Sequence, residues 1–158
     1  MEAFARLNRK DARLLLVGDG PGRDNLKQQV SLLGLDDSVL MPGNQSDVAP
    51  WLQALDVFAL PSYANEGVPQ ALMQAMAAGV PVISTPVGSI DELVRHEETG
   101  LMVPPQDVAA LTAAIARLLD EPALAQRLAS AARAWVSERY SRERMLDSME
   151  AVFRGVTA

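Results

Sequence analysis

The chain has 158 residues, 49% of them hydrophobic, no cysteine and a formal net charge of −6, with Lys10 and Lys27 as its only lysines. A single domain of this size buries roughly 70% of its unfolded surface, and the acidic balance argues against a nucleic-acid-binding role, which needs a basic face. Without cysteine there are no disulfides and no thiolate zinc site; a cytoplasmic location is the expectation, and no basic-then-apolar leader pattern is visible.

Strand and helix signals alternate along the chain, which predicts a parallel sheet covered on both faces. Residues Ala3–Arg9 read as the end of a helix, Leu14–Val17 as a strand and Gly18–Gly22 as its turn. Asp24–Leu33 reads as a helix stopped by Gly34, and Val39–Met41 as a short strand. Asp47–Leu55 is predicted helical, with Val48, Trp51, Leu52 and Leu55 on one face. Val57–Leu60 is a strand. Pro69 is placed at the first helical position of a helix that ends at Gly79, and Val82–Ser84 is the strand after Pro81. Ile90–Arg95 is a short helix and Leu101–Val103 a strand. Asp107 caps a helix with the apolar stripe Val108, Leu111, Ile115, Leu118 and Leu119. Pro122 opens another helix through about Trp135, and Ser141 caps the last one. Residues 68–90 are strongly apolar, but Pro69, Gly79, Pro81, Pro86 and Gly88 break them below the roughly 18 residues that span a bilayer.

Residues 62–92 carry the chemistry. The helix after Pro69 has almost no polar side chain besides Gln70 and Gln74, so it is expected to be buried. Its free N-terminus, with Gly67, Val68 and Pro69 leading into it, suits an anionic phosphate. The carboxylate of Glu66 beside it suits sugar hydroxyls. The plainer reading of Gly67, Val68 and Pro69 is a loop-to-helix turn.

This stretch resembles the signature of retaining glycosyltransferases with two Rossmann-like domains, the GT-B fold, in glycosyltransferase family 4. That pattern is a Glu, seven residues, a second Glu, then Ala-Met-Ala-x-Gly-x-Pro-Val-Ile. Glu66 matches the first position and Ala75-Met76-Ala77-Ala78-Gly79-Val80-Pro81-Val82-Ile83 the tail. Gln74 stands where the second Glu belongs. Leu15-Leu16-Val17-Gly18-Asp19-Gly20-Pro21, Asp56-Val57-Phe58-Ala59-Leu60-Pro61-Ser62 and Thr99-Gly100-Leu101-Met102-Val103 look like the family's second, fourth and sixth strands.

The resemblance implies that residues 1–158 form one α/β domain, a doubly wound, Rossmann-like parallel sheet, and correspond to the C-terminal, donor-binding half of such an enzyme. It implies a strand and a Gly-Arg-x turn before the first helix, and an N-terminal acceptor-binding domain, neither lying within residues 1–158. The five remaining strands would run 2-1-3-4-5 if the gap closed. It implies a UDP- or GDP-sugar substrate, no cofactor and no metal, since helix N-termini and basic side chains hold the phosphates. Glu66 would be the catalytic-site carboxylate on the donor hexose. Gln74 would meet the ribose 2′- and 3′-hydroxyls with a neutral amide in place of a carboxylate, at a cost of about 1 kcal/mol; the alternative is a satisfied core amide. Gly18 and Gly20 would line the donor cleft, with Thr85, Gly88 and Glu92 after the strand Val82–Ser84. Glu92 also reads as a helix-surface carboxylate.

Other motifs carry less. Gly18-Asp19-Gly20-Pro21-Gly22 is no dinucleotide loop, because the third glycine of G-x-G-x-x-G falls at Arg23, and no Gly-Lys-Ser/Thr follows. His96, the single histidine, reads as surface or core. Asp19, Asp56 and Asp91 have no metal-ligand spacing. Arg117, Arg127, Arg133, Arg139, Arg142 and Arg144 read as solvated helix faces, or else as a face for another domain or for peripheral contact with an anionic membrane. A phosphorelay receiver shares the 2-1-3-4-5 order but needs a lysine after its last strand, and none follows Lys27. A sugar-nucleotide epimerase half and a non-catalytic module remain as alternatives, and self-association is a further expectation.

Overall fold

The computed structural model describes residues 1–64 and 67–156. In chain order the elements are α1 (Glu2–Leu7), β1 (Leu14–Val17), α2 (Arg23–Leu32), β2 (Val39–Gly43), α3 (Ala49–Gln53), β3 (Phe58–Leu60) and α4 (Gln70–Ala78). They continue with β4 (Val82–Ser84), α5 (Ile90–Leu93), β5 (Leu101–Met102), α6 (Val108–Asp120), α7 (Pro122–Arg139) and α8 (Arg142–Val156).

All strand pairs are parallel, but they form two sheets, β1-β2 and β3-β4-β5. The gap between β1 and β3 therefore stays open, and the 2-1-3-4-5 order that its closure would give does not form. Closing it would shift packed helices by about one strand spacing, 4.8 Å. The chain leading into β1 is tied to the larger half: α1 packs on α6, Thr112 Oγ1 donates to the Ala3 carbonyl at 3.2 Å, and Arg9, just beyond α1, pairs with Asp120 at 2.6 Å.

β4 is the centre of the larger sheet, and all three of its residues are buried. Successive strand side chains point to opposite faces, so Val82 and Ile83 seed two separate cores. Val82 packs with Leu72, Ala75 and Met76 of α4, Ile90 and Leu93 of α5, and Ala132 and Val136 of α7. Ile83 packs with Leu101, Val103, Ala114 and Leu118 of α6, and Leu128 of α7. Each large side chain buried this way contributes about 1.5–3 kcal/mol. Gly100 allows the close contact of β5 with β4: a Cβ there would lie 2.8 Å from Val82 Cγ2 and 2.9 Å from Val94 Cγ1.

Local signals act as expected at several ends. Gly79 closes α4 with φ 78°, a left-handed cap that glycine adopts without strain. Asp107 Oδ1 accepts the Ala110 N–H at 2.9 Å at the start of α6. Ser141 Oγ accepts the Arg144 N–H at 3.3 Å before α8. Others shift. Pro69 is the N-cap of α4 with ψ 118°, not its first helical residue. α3 is shorter than the predicted 47–55 helix, because Asp47 Oδ1 takes the Ala49 N–H and starts the turn there. α7 continues past Trp135 to Arg139.

α4 is also less buried than its composition suggests. Leu72, Ala75 and Met76 face inward at the i, i+3, i+4 spacing, while Gln70, Ala71, Gln74, Ala77 and Ala78 are exposed. Among the described residues, no helix is long and apolar enough to cross a membrane. The described residues of α8 from Arg142 to Gly155 are all exposed, including Met145, Leu146, Met149, Val152 and Phe153.

Candidate functional site

The parallel strands point their carboxyl ends the same way within each sheet, and open α/β sheets bind ligands outside those ends. Three segments emerge there: the glycine turn after β1, the segment 61–69 between β3 and α4, and the turn between β4 and α5.

The glycine turn is held from both sides. Gly18 has φ 130°, a backbone conformation open to glycine alone, and its N–H donates to the Gly43 carbonyl at 2.9 Å. The Gly20 N–H donates to Asp19 Oδ1 at 2.8 Å. A Cβ at Gly18, Gly20 or Gly22 would meet no atom within 4 Å, so this turn faces open space. Arg23, which follows it, is a residue that motif reading passes over. Its Nη2 donates to the Met41 carbonyl at 3.1 Å, and its Nη1 lies 3.8 Å from Asp19 Oδ2. It thus ties the turn to the end of β2. The guanidinium passes so close to Gly43 that a Cβ there would lie 3.2 Å from Nη1. The one signal in the sequence was the failure of the third glycine at Arg23.

Glu66, the proposed carboxylate on the hexose, lies outside the described residues. Gly67 opens onto free space, and Val68 is 39% exposed. Pro69 then sets the start of α4: its carbonyl accepts from both Leu72 N and Met73 N. Among the described residues, no side chain caps this end. The N–H groups of Gln70 and Ala71 consequently project from the helix terminus with no intrahelical partner, at the positive end of the helix dipole.

Gln74 is exposed on the outer side of α4, which overturns the core-amide reading. Thr85 is fully buried, and its Oγ1 donates to the Ser62 carbonyl at 2.6 Å. The side chain therefore faces segment 61–69 rather than offering a free hydroxyl to the cleft. Gly88 takes φ 59° in the turn before α5, and Glu92 is exposed on α5. α5 is braced from behind by the residue that ends α7, Tyr140, whose Oη donates to the Glu92 carbonyl at 3.4 Å. The concavity lined by Lys27, Gln28, Ser31 and Leu32 belongs to the later turns of α2 and includes none of these residues.

Three of the late arginines, Arg117, Arg127 and Arg139, are engaged within the chain. Arg117 forms a bidentate pair with Glu97, and Arg127 Nη1 donates to the Glu97 carbonyl at 3.1 Å. The Arg117 hydrogen bonds hold the Glu97 carboxyl below its ordinary range and raise Arg117 in turn. Trp135 lies between the guanidinium groups of Arg95 and Arg139, each 3.9 Å from the ring centre. His96 Nδ1 accepts the Met102 N–H at 2.9 Å, so the lone histidine pins β5.

Parallel strands, covered on both faces in the larger sheet, with a glycine turn and a helix N-terminus at their carboxyl ends, make a Rossmann-like domain. The profile of the family "Glycosyl transferases group 1" matches residues 1–121, and the chain belongs to that family. It is 35% identical over 157 residues to N-acetyl-alpha-D-glucosaminyl L-malate synthase of Bacillus anthracis, covering 99% of this chain and 41% of that protein. Among solved structures it resembles sucrose-phosphate synthase from Thermosynechococcus elongatus at 34% identity and TM-score 0.89, over 98% of this chain and 41% of that one. It also resembles Anabaena Alr3699/HepE, solved in complex with UDP, at 26% identity and TM-score 0.86, over 95% and 43%. The domain has the Rossmann-like fold of the GT-B glycosyltransferases, and the chain spans about two fifths of the length of these relatives.

Proposed function

We propose that residues 1–158 are the nucleotide-sugar-binding domain of a retaining glycosyltransferase, which moves a hexose from a UDP- or GDP-sugar to an acceptor held by another part of the enzyme. The observation that carries this reading is the N-terminus of α4, standing after β3, where no side chain caps the helix among the described residues and the first-turn N–H groups have no intrahelical partner. The diphosphate lies there, its charge met by backbone N–H groups and basic side chains rather than by a metal ion. Stabilising that charge as the sugar leaves is the main catalytic contribution. Glu66 binds the hexose hydroxyls, Gln74 the ribose, and Gly18, Gly20 and Glu92 line the cleft. The UDP complex of the Anabaena relative supports a nucleotide donor, and the greater length of the relatives supports an acceptor domain in the same enzyme. The cysteine-free composition suits the reducing cytoplasm.

The test is a nucleotide panel read by thermal shift, since a ligand at 100 times its Kd adds about 2.7 kcal/mol. Chemical-shift mapping with the best ligand is expected to move the amides of Gly18, Gly20, Gly67 and Gln70. Shifts confined to 127–144 would refute the placement. Glu66→Ala is expected to weaken a nucleotide-sugar more than the bare nucleotide; equal losses would move Glu66 away from the hexose. Gln74, with its neutral amide, favours a second reading, a nucleotide-binding module without turnover. Residues 1–158 alone are expected to show no turnover under either reading, so a radiolabelled-donor assay on the full-length protein separates the two: sugar transfer or donor hydrolysis there requires the enzyme.

A further inference from the structure

We propose that Ser84 and Thr85 are positioning residues for the nucleotide-sugar site, their buried hydroxyls setting where the chain leaving β3 and the start of α4 stand against the sheet. The inference rests on the reading of that site given above. The β3–β4 ladder runs Phe58↔Val82, Ala59↔Ile83 and Leu60↔Ser84. It meets Pro61 next, which has no N–H to donate. From there to Gln70 the described chain is neither helix nor strand. Its large side chains do not anchor it: Tyr63 is 73% exposed and Val68 39%.

Two hydroxyls take over where the ladder ends. Ser84 Oγ donates to the Leu60 carbonyl at 2.8 Å, and Thr85 Oγ1 donates to the Ser62 carbonyl at 2.6 Å. Both residues are 0% exposed. Ser84 is the last residue of β4 and Thr85 the first beyond it, so the two hydroxyls hold the departing chain at consecutive points, Leu60 and Ser62. A buried hydroxyl without a partner is costly, which ties each to its carbonyl. The far end of the segment is fixed by Leu72 and Met76 of α4 in the core. Gly67, Val68 and Pro69 thus stand between a hydroxyl clamp and a packed helix.

Thr85→Val keeps the shape and removes the hydroxyl, Thr85→Ser keeps the hydroxyl, and Leu118→Val destabilises the core behind the sheet as a remote control. Amide exchange at Gly67, Val68, Gln70 and Ala71, and the Kd for UDP and UDP-glucose, are measured on the full chain well below its thermal midpoint. In Thr85→Val the four amides are expected to exchange about tenfold faster and UDP to bind about fivefold more weakly. Thr85→Ser is expected to restore both, and Leu118→Val to leave both as in the parent. A Thr85→Val chain with a lower midpoint but parental exchange at these amides, or one that Thr85→Ser does not rescue, overturns the proposal. A parent chain that binds neither UDP nor UDP-glucose refutes the nucleotide-sugar reading instead, and the exchange data then decide the clamp by themselves.

Discussion

Gln74→Glu is the sharpest perturbation of this site. Gln74 sits one turn beyond Gln70, on the exposed side of α4 opposite the buried Leu72 and Met76. Replacing an exposed helical amide with a carboxylate of the same shape changes folding stability by no more than about 0.5 kcal/mol, so binding is read without a change in folding. An amide presents one acceptor oxygen and an NH2 donor; a carboxylate presents two acceptors, matching the paired hydroxyls of a ribose. A hydrogen bond to a charged group contributes about 1.5–3 kcal/mol against about 1 for a neutral one. The gain is therefore about 1 kcal/mol, or about fivefold in Kd. Isothermal titration of UDP into parent and variant measures it, with 2′,3′-dideoxy-UDP as the control that lacks the hydroxyls. Equal affinities for UDP, or a gain kept in full by the dideoxy ligand, would refute the ribose assignment.

Other outcomes follow from the packing and the ion pairs. Gly100→Ala places a methyl 2.8–2.9 Å from Val82 and Val94 atoms and is expected to cost about 1–3 kcal/mol in urea unfolding; an unchanged midpoint would mean that β5 is free to move. Asp107→Ala removes the side-chain acceptor for Ala110 N and is expected to cost about 1 kcal/mol, read by thermal unfolding. The folded-state pKa of Glu97 is depressed, chiefly by its hydrogen bonds from Arg117. Its contribution is therefore present above the ordinary glutamate value of about 4.3 and is lost as the pH falls through the lower folded value. Acid titration of Arg117→Met should accordingly show less loss of stability below about pH 4 than the parent.

What was legible in the sequence is what a short window carries. The 2- and 3.6-residue periods, Gly34, Gly79, Asp107 and Ser141 place most elements within a few residues, because each of those signals acts on its own neighbours. The motif around residues 66–83 pointed to the family that the profile over residues 1–121 shows. Composition misled at α4. Its alanines look apolar and buried, yet only the i, i+3, i+4 set Leu72, Ala75 and Met76 faces the core. Long-range partners left no local trace. Nothing near Thr85 announces Ser62, nothing near Arg23 announces Met41, and nothing near His96 announces its bond from Met102.

Strand pairing is the furthest of these long-range properties, and it decides how the two parts of the site are joined. The glycine turn belongs to the β1-β2 sheet and the α4 terminus to the β3-β4-β5 sheet, with no ladder between β1 and β3 among the described residues. Leu14 N–H points to β2, where it meets the Ser38 carbonyl, as does Gly18 N–H at Gly43. By the strand alternation, Leu15 and Val17 turn their N–H groups toward the gap. On the other side Phe58 N–H meets Pro81, so Ala59 faces the gap from β3. The segment before β1 is tied to the larger half where α1 packs on α6, through the Ala3–Thr112 and Arg9–Asp120 bonds. Arg9 and Asp120 keep side-chain exposures of 32% and 64%, so solvent screens the pair and it adds little to that hold. Amide exchange is therefore expected to be fast at Leu15, Val17 and Ala59 and slow at Val82, Ile83 and Leu101 on the closed side of the sheet. Protection at the three gap-facing amides equal to that of Ile83 would mean that the gap is bridged in solution, by closure of the sheets or by another strand, and the two parts of the site would then share one rigid sheet.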